Sequence, residues 1–183
     1  MKCEKFLEDI VKLISLPEEN FERAVNLLEN NLYKYDDIRL AILGSFLISK
    51  WFGSVENIFI KYLKEKCDIQ NYDVQSIIKY LLAFQIYMED DLNNINKYKK
   101  MIEYLEESVN LSTKYVNNYL LLAEYSNKRE KRKLMNFAKN NVKEIWDSKN
   151  DIIFENTFNS YINEHVLGVS MSDFRYEELF KTI

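Results

Sequence analysis

Ile42-Leu43-Gly44-Ser45-Phe46-Leu47, Leu81-Leu82-Ala83-Phe84-Gln85-Ile86 and Leu121-Leu122-Ala123-Glu124-Tyr125-Ser126 share one pattern, a Leu followed by a small residue within an apolar run. The small residues stand at 44, 83 and 123, spacings of 39 and 40. A small side chain beside a Leu suits a close helix crossing, because the neighbouring backbone can approach while Leu fills the adjacent groove. A recurrence of about 40 residues is the length of two helices and their turns, so the three stretches read as the first helices of successive helical hairpins.

Working outward, Phe6, Leu7, Ile10, Val11, Leu13 and Ile14 line one side of a first helix, and Ser15 with Glu18 around Pro17 has the spacing of a capping box that starts a second. That helix runs to about Tyr35, where Asp36 and Asp37 offer acceptors to the next. Gly53 and Ser54 divide the second hairpin, Gly53 as a C-terminal cap and Ser54 as the N-cap of a helix from Val55 to about Lys66, and Asp73 is expected to cap the third. The acidic turn Glu89-Asp90-Asp91 complements the dipole of the helix that follows, and Ser112-Thr113 opens a fourth pair. The expectation is an all-α chain with hairpins over about 1–35, 37–67, 73–110 and 113–147. A C-terminal capping pair over 150–183, broken at Gly168, would bring the total to about ten helices in a single domain.

The wording of these runs resembles the tetratricopeptide repeat, whose first helix carries an aromatic residue, then Leu-Gly, then Tyr. Tyr119-x2-Leu122-Ala123-x2-Ser126 is the nearest counterpart, and Leu40-x2-Leu43-Gly44-x2-Leu47 the next. Ala24-x3-Leu28 and Ala138-x3-Val142 approximate the second-helix signature. The chain departs from the family in having no Pro at the end of a unit and a period longer than about 34 residues. The resemblance covers roughly residues 1–147. It implies a right-handed stack of hairpins whose concave face, lined by first helices, holds a peptide or a helix of a partner. A plain amphipathic helical bundle would show similar rows of Leu and Ala.

Composition narrows the function classes. Three glycines, isolated at 44, 53 and 168, cannot build a phosphate-cradling loop or a dinucleotide fingerprint. One histidine, His165, leaves no zinc site of paired Cys and His, so neither cofactor nor metal is expected. Cys3 and Cys67 stand far apart, no signal peptide opens the chain, and no apolar run reaches the roughly 20 residues that span a bilayer. A cytoplasmic protein with reduced thiols and no membrane partner follows as an expectation. The abundance of Lys, Asn, Ile and Tyr suits a small bacterial or phage-borne protein.

The net charge of -4 is unevenly spread: residues 128–149 hold 8 basic and 3 acidic groups, whereas 150–183 hold 2 and 6. The run Lys128 to Lys133, continued by Lys139, Lys143 and Lys149, has several members opposite the apolar stripe Leu134, Ala138, Val142 and Ile145, so one helix is expected to show water a basic stripe, with Lys128, Arg129, Arg132, Lys139 and Lys143 as its candidate binding residues. The stripe is the candidate partner-binding surface, and a solvated Lys-rich face is the bland alternative. Nucleic acid is the less favoured partner because only one helix is basic and the aromatic residues sit at core spacing. Glu89-Asp90-Asp91 lacks the alternating oxygen ligands and the Gly of a calcium loop. The expectation is therefore a non-enzymatic interaction protein with a protein partner, of the immunity or antitoxin kind in its sharpest form. A nucleic-acid regulator using residues 128–143 and an enzyme centred on His165, with Glu164 and Tyr161 beside it, are the alternatives.

Overall fold

The computed structural model describes residues 2–14, 20–51, 57–89, 94–111 and 117–148. Among these residues the chain is all-α, with eight α-helices and no strand. They are α1 (Lys2–Ile14), α2 (Phe21–Tyr35), α3 (Ile38–Trp51), α4 (Ile58–Lys66), α5 (Tyr72–Met88), α6 (Ile95–Leu111), α7 (Asn117–Glu124) and α8 (Lys128–Ser148), with a short 3-10 turn at Cys67–Ile69. The four expected hairpins contain α1 to α8 in pairs, and the proposed capping pair over 150–183, with Gly168, lies outside the described residues.

Four helix starts, those of α4, α5, α6 and α8, are capped by asparagine. Asn57 Oδ1 accepts from Ile60 N at 3.0 Å and Asn71 Oδ1 from Val74 N at 3.0 Å. Asn94 Oδ1 takes Asn96 N and Lys97 N at 3.2 and 3.4 Å, and Asn127 Oδ1 takes Arg129 N and Glu130 N at 3.1 Å each. Each supplies an acceptor to donors that have no partner within the helix. Two expected starts therefore move: α4 begins at Ile58 rather than Val55, and Asp73 falls in the first turn of α5 instead of capping it. Asp36 and Asp37 divide the labour at the next junction. Asp36 adopts the left-handed conformation (φ 48°) and closes α2 through its N–H to Leu32 O at 2.9 Å, while Asp37 Oδ1 accepts from Arg39 N at 3.0 Å and starts α3.

Two compact units divide the chain, one formed by Met1–Gln70 and Leu81–Met101, the other by Asn71–Tyr80 and Ile102–Ile183. In the first, α1 packs on α2, α2 on both α3 and α4, and α3 on α4. Every residue of α3 from Leu40 to Ser49 is buried, so this helix is apolar all round and serves as the unit's axis. Leu28 and Leu32 of α2 and Phe59, Tyr62 and Leu63 of α4 reach full or near-full burial. Each large apolar side chain so placed contributes roughly 1.5–3 kcal/mol. Ser45 and Ser49, one turn apart on α3, are buried with no hydrogen-bond partner for either hydroxyl among the described residues.

Gly44 sits where the Leu-small pattern placed it. A Cβ there would lie 2.5 Å from the ring carbons of Phe59, which is itself fully buried. The ring thus rests directly on the α3 backbone. Ala83 and Ala123, the other members of the series, are also buried. In the second unit α7 packs on α8, and Ser126 Oγ returns to Leu122 O at 2.8 Å to satisfy the end of α7.

Because the Phe59 ring is enclosed on all sides, Gly44→Ala is expected to destabilise the protein by about 1–3 kcal/mol through overpacking, despite the better helix propensity of Ala. Chemical denaturation measures this, and Phe59→Leu introduced into the Gly44→Ala background should recover part of the loss. A Gly44→Ala protein as stable as the parent would show that the contact does not constrain the fold.

Candidate interaction site

The N-terminal half of α8 carries the sequence Lys128-Arg129-Glu130-Lys131-Arg132-Lys133, and all six side chains are exposed. The helix is anchored against α7. Ala138 is completely buried, and the Phe137 ring lies 4.7 Å from the Tyr119 ring of α7 at 30°. Tyr119 is fixed in turn by its hydroxyl, which donates to Val109 O of α6 at 2.9 Å.

Lys128, Arg129, Arg132, Lys133 and Asn136 line a shallow depression of about 650 Å³. Their numbering follows i, i+4 and i+8, so two ridges, 128-132-136 and 129-133, run along one helical face. Lys133 Nζ pairs with Glu130 Oε1 at 3.0 Å. The side chains of Lys128, Arg129, Lys131 and Arg132 have no anionic partner among the described residues. Three of the five stripe residues, Lys128, Arg129 and Arg132, thus come together at one depression. Lys139 and Lys143 fall on α8, where the structure describes only their backbone. Lys133 and Asn136 complete the depression. The four-residue spacing was the signal for both.

A second polar constellation was not legible as a site. Ser76 of α5 and Ser108 of α6 exchange hydrogen bonds with each other's backbone: Ser76 Oγ donates to Ser108 O at 2.8 Å and Ser108 Oγ to Ser76 O at 2.6 Å. Asn118 of α7 donates from Nδ2 to Ser108 Oγ at 2.9 Å, and its Oδ1 accepts from Tyr119 N at 2.8 Å. All three side chains are buried. The cluster binds three helices of the second unit through satisfied groups, which makes it structural rather than reactive. At its edge Lys79 Nζ meets Glu107 Oε2 at 2.6 Å and lies 5.5 Å from the centre of the Tyr104 ring.

The thiols offer no nucleophile. Burial pushes the Cys3 thiol up to about 12, assisted by its hydrogen bond to Asp37 Oδ2 at 3.2 Å, so it stays protonated. Cys67 is buried. Burial also raises the Asp37 carboxyl, but the hydrogen bonds and charge of Arg39 outweigh that and hold it below the ordinary carboxylate range. The guanidinium grips it with Nη2 at 2.6 Å and Nε at 3.0 and 3.1 Å. Asp36 is held low by the Tyr62 hydroxyl, 2.7 Å away, and by Lys66 at 3.0 Å.

Glu89 of the acidic turn pairs with Lys97 at 2.7 Å, whereas Asp90 and Asp91 lie outside the described residues, as do Tyr161, Glu164 and His165. Among the described residues no group of three or more His, Cys, Asp or Glu could hold a metal ion, and no helix is long and apolar enough to cross a membrane. No family model, no curated protein and no solved structure matches the chain.

Two outcomes are expected. Ser108→Ala leaves Ser76 O and Asn118 short of a partner and should cost about 1–3 kcal/mol in urea denaturation. The double variant Ser76→Ala with Ser108→Ala should lose clearly less than the sum of the singles, and strict additivity would mean that the two hydroxyls act independently. Asp37 is depressed in the fold, so its stabilisation is present above the unfolded-state value of about 3.9 and is lost as pH falls through the lower folded value. Urea midpoints followed downward from about pH 5 should therefore drop, and Asp37→Asn should lower the neutral-pH midpoint and flatten that acid limb. An acid limb of the same steepness in the variant would remove Asp37 as its source.

Proposed function

We propose that this chain is a non-enzymatic protein-interaction module built from tetratricopeptide-like helical hairpins, acting in the manner of a bacterial immunity or antitoxin-type inhibitor. Its partner is a protein, held on the outer faces of second helices. The observation that carries this reading is the contrast between α3 and α8. A groove lined by first helices needs an exposed stripe on each, yet Leu40–Ser49 of α3 are all buried. On α8, by contrast, six consecutive polar side chains stand exposed around a depression. Surface of that kind suits rim-and-anchor recognition of another macromolecule. A protonated Cys3, a buried Cys67 and a fully partnered serine-asparagine cluster support a binding role over a chemical one.

The cationic face also favours a second reading, a nucleic-acid-binding regulator using residues 128–143, since phosphates attract Lys and Arg without regard to sequence. Co-expression with the protein encoded beside this one separates the two. A co-eluting complex, dissociated by Lys128→Glu with Arg132→Glu, is the expected result. A chain that elutes alone, and instead shifts DNA or RNA at low salt in a manner lost when Lys128, Arg132 and Lys139 are reversed, establishes the regulator.

A further inference from the structure

We infer that the depression on α8 is the docking site for a carboxylate-rich segment of the protein partner, an inference that rests on the interaction reading above. The site is the surface formed by Lys128, Arg129, Arg132, Lys133 and Asn136.

Three observations on one helix lead there. The first is placement against the helix dipole. The N-terminus of a helix carries a partial positive charge, so cations are favoured in the last turn and anions in the first. α8 inverts this, with five cations among its first six residues and a single acidic one, Glu130. The second is repulsion along the face: 128 with 132 and 129 with 133 are like-charged pairs at four-residue spacing, each unfavourable in an isolated helix. The third is that the cost goes unrelieved among the described residues, where only Lys133 has an anionic partner. A helix that breaks the charge rule of its own terminus, without compensation among the described residues, has a surface set by something other than its own stability.

The occupant is an acidic protein segment rather than a nucleic-acid strand for reasons on the same face. Glu130 stands within the cationic run and would oppose a continuous phosphate backbone, whereas a peptide with spaced carboxylates can place an uncharged residue beside it. No aromatic side chain lines the depression: its five lining residues are four cations and Asn136, and the part-exposed Phe137 ring lies outside it, tilted against Tyr119. The α8 N-terminal amides of Arg129 and Glu130 are already capped by Asn127, so the recognition falls to side chains, and paired arginines suit carboxylates through two-pronged hydrogen bonds. Asn136 adds a donor for a peptide carbonyl.

The test uses the full chain and a fluorescein-labelled Glu-rich peptide, read by anisotropy at low and at physiological salt. Reversal of Lys128, Arg129, Arg132 and Lys133 to Glu should weaken the peptide at least about tenfold, while raising rather than lowering the thermal midpoint, because carboxylates at the start of the helix complement its dipole where cations oppose it. The control reverses four exposed cations elsewhere, Lys5, Arg23, Lys61 and Lys99, which changes net charge equally and should leave peptide affinity within about twofold. Equal losses in the two variants, an unlabelled oligonucleotide of matched charge that displaces the peptide more effectively than unlabelled peptide does, or no peptide binding at low salt each overturns the inference. The last result points to a face already covered by this chain or by a second copy, which the oligomeric state in solution distinguishes. A natural partner that remains bound to the four-site α8 variant also removes the docking site but leaves the interaction reading intact. The interaction reading itself falls if peptide binds as expected while no protein partner ever co-purifies.

Discussion

The first unit depends on one close approach, the Phe59 ring lying against the backbone of Gly44. Glycine in a helix interior costs about 1 kcal/mol relative to alanine, so its presence in the middle of α3 needs a compensating gain. The gain is interfacial: with no Cβ in the way, α4 settles onto α3 and the Phe59 ring is fully buried against it, while Tyr62 and Leu63 of the same helix are buried too. That in turn encloses α3, and an enclosed helix must be apolar on every side, which is why Leu40 to Leu47 contains only Gly44 and Ser45 outside the large apolar types and Ala41. Strain elsewhere in the unit follows the same geometry. Asp36 holds a left-handed backbone that a non-glycine residue disfavours, and its carboxylate is tied to Tyr62 and Lys66 of α4, so the turn that leads into α3 is fastened to the helix that covers it.

How much of this was legible depends on whether the information is periodic. Small residues recur at 44, 83 and 123, and all three are buried, as the apolar runs around them lead one to expect. Cap residues carry no period. Ser54 and Asp73 looked suitable for starting helices, yet Asn57 and Asn71 stand at the actual boundaries of α4 and α5, because asparagine accepts from the second and third amides as well as serine or aspartate does. In a chain rich in Asn, that signal is buried in its own background. The pair Asp36-Asp37 shows the same limit: two neighbouring carboxylates read as equivalent acceptors, and only the backbone between α2 and α3 makes one a C-terminal stop and the other an N-terminal start.

The serine-asparagine cluster was beyond reach of sequence patterning for a different reason. Ser76, Ser108 and Asn118 are separated by 32 and 10 positions and sit in three helices, with neighbours that give no hint of mutual contact. Buried polar groups gain meaning only in pairs, since an unpartnered hydroxyl is a liability and a reciprocated one a constraint on register. Ser45 and Ser49 of α3 show the contrast within one chain: they are equally buried and carry no such bonds. The second unit therefore gains specificity from polar contacts where the first relies on steric fit.

The basic stripe was the most legible part of the candidate site, and the structure alters its meaning more than its membership. On the sequence, Lys128 to Lys133 is a charged run of a kind common on solvated faces. On α8 it becomes five cations gathered at the end of a helix where positive charge is least favoured, a helix held in place by buried Ala138 and by Phe137 against Tyr119. A solvated face needs no particular order of charges, and shuffling the same residues toward the C-terminal turn would stabilise the helix at no loss of hydration. Cations retained at the unfavourable end of a firmly anchored helix, four of them with no anionic partner among the described residues, are what the docking proposal sets out to explain.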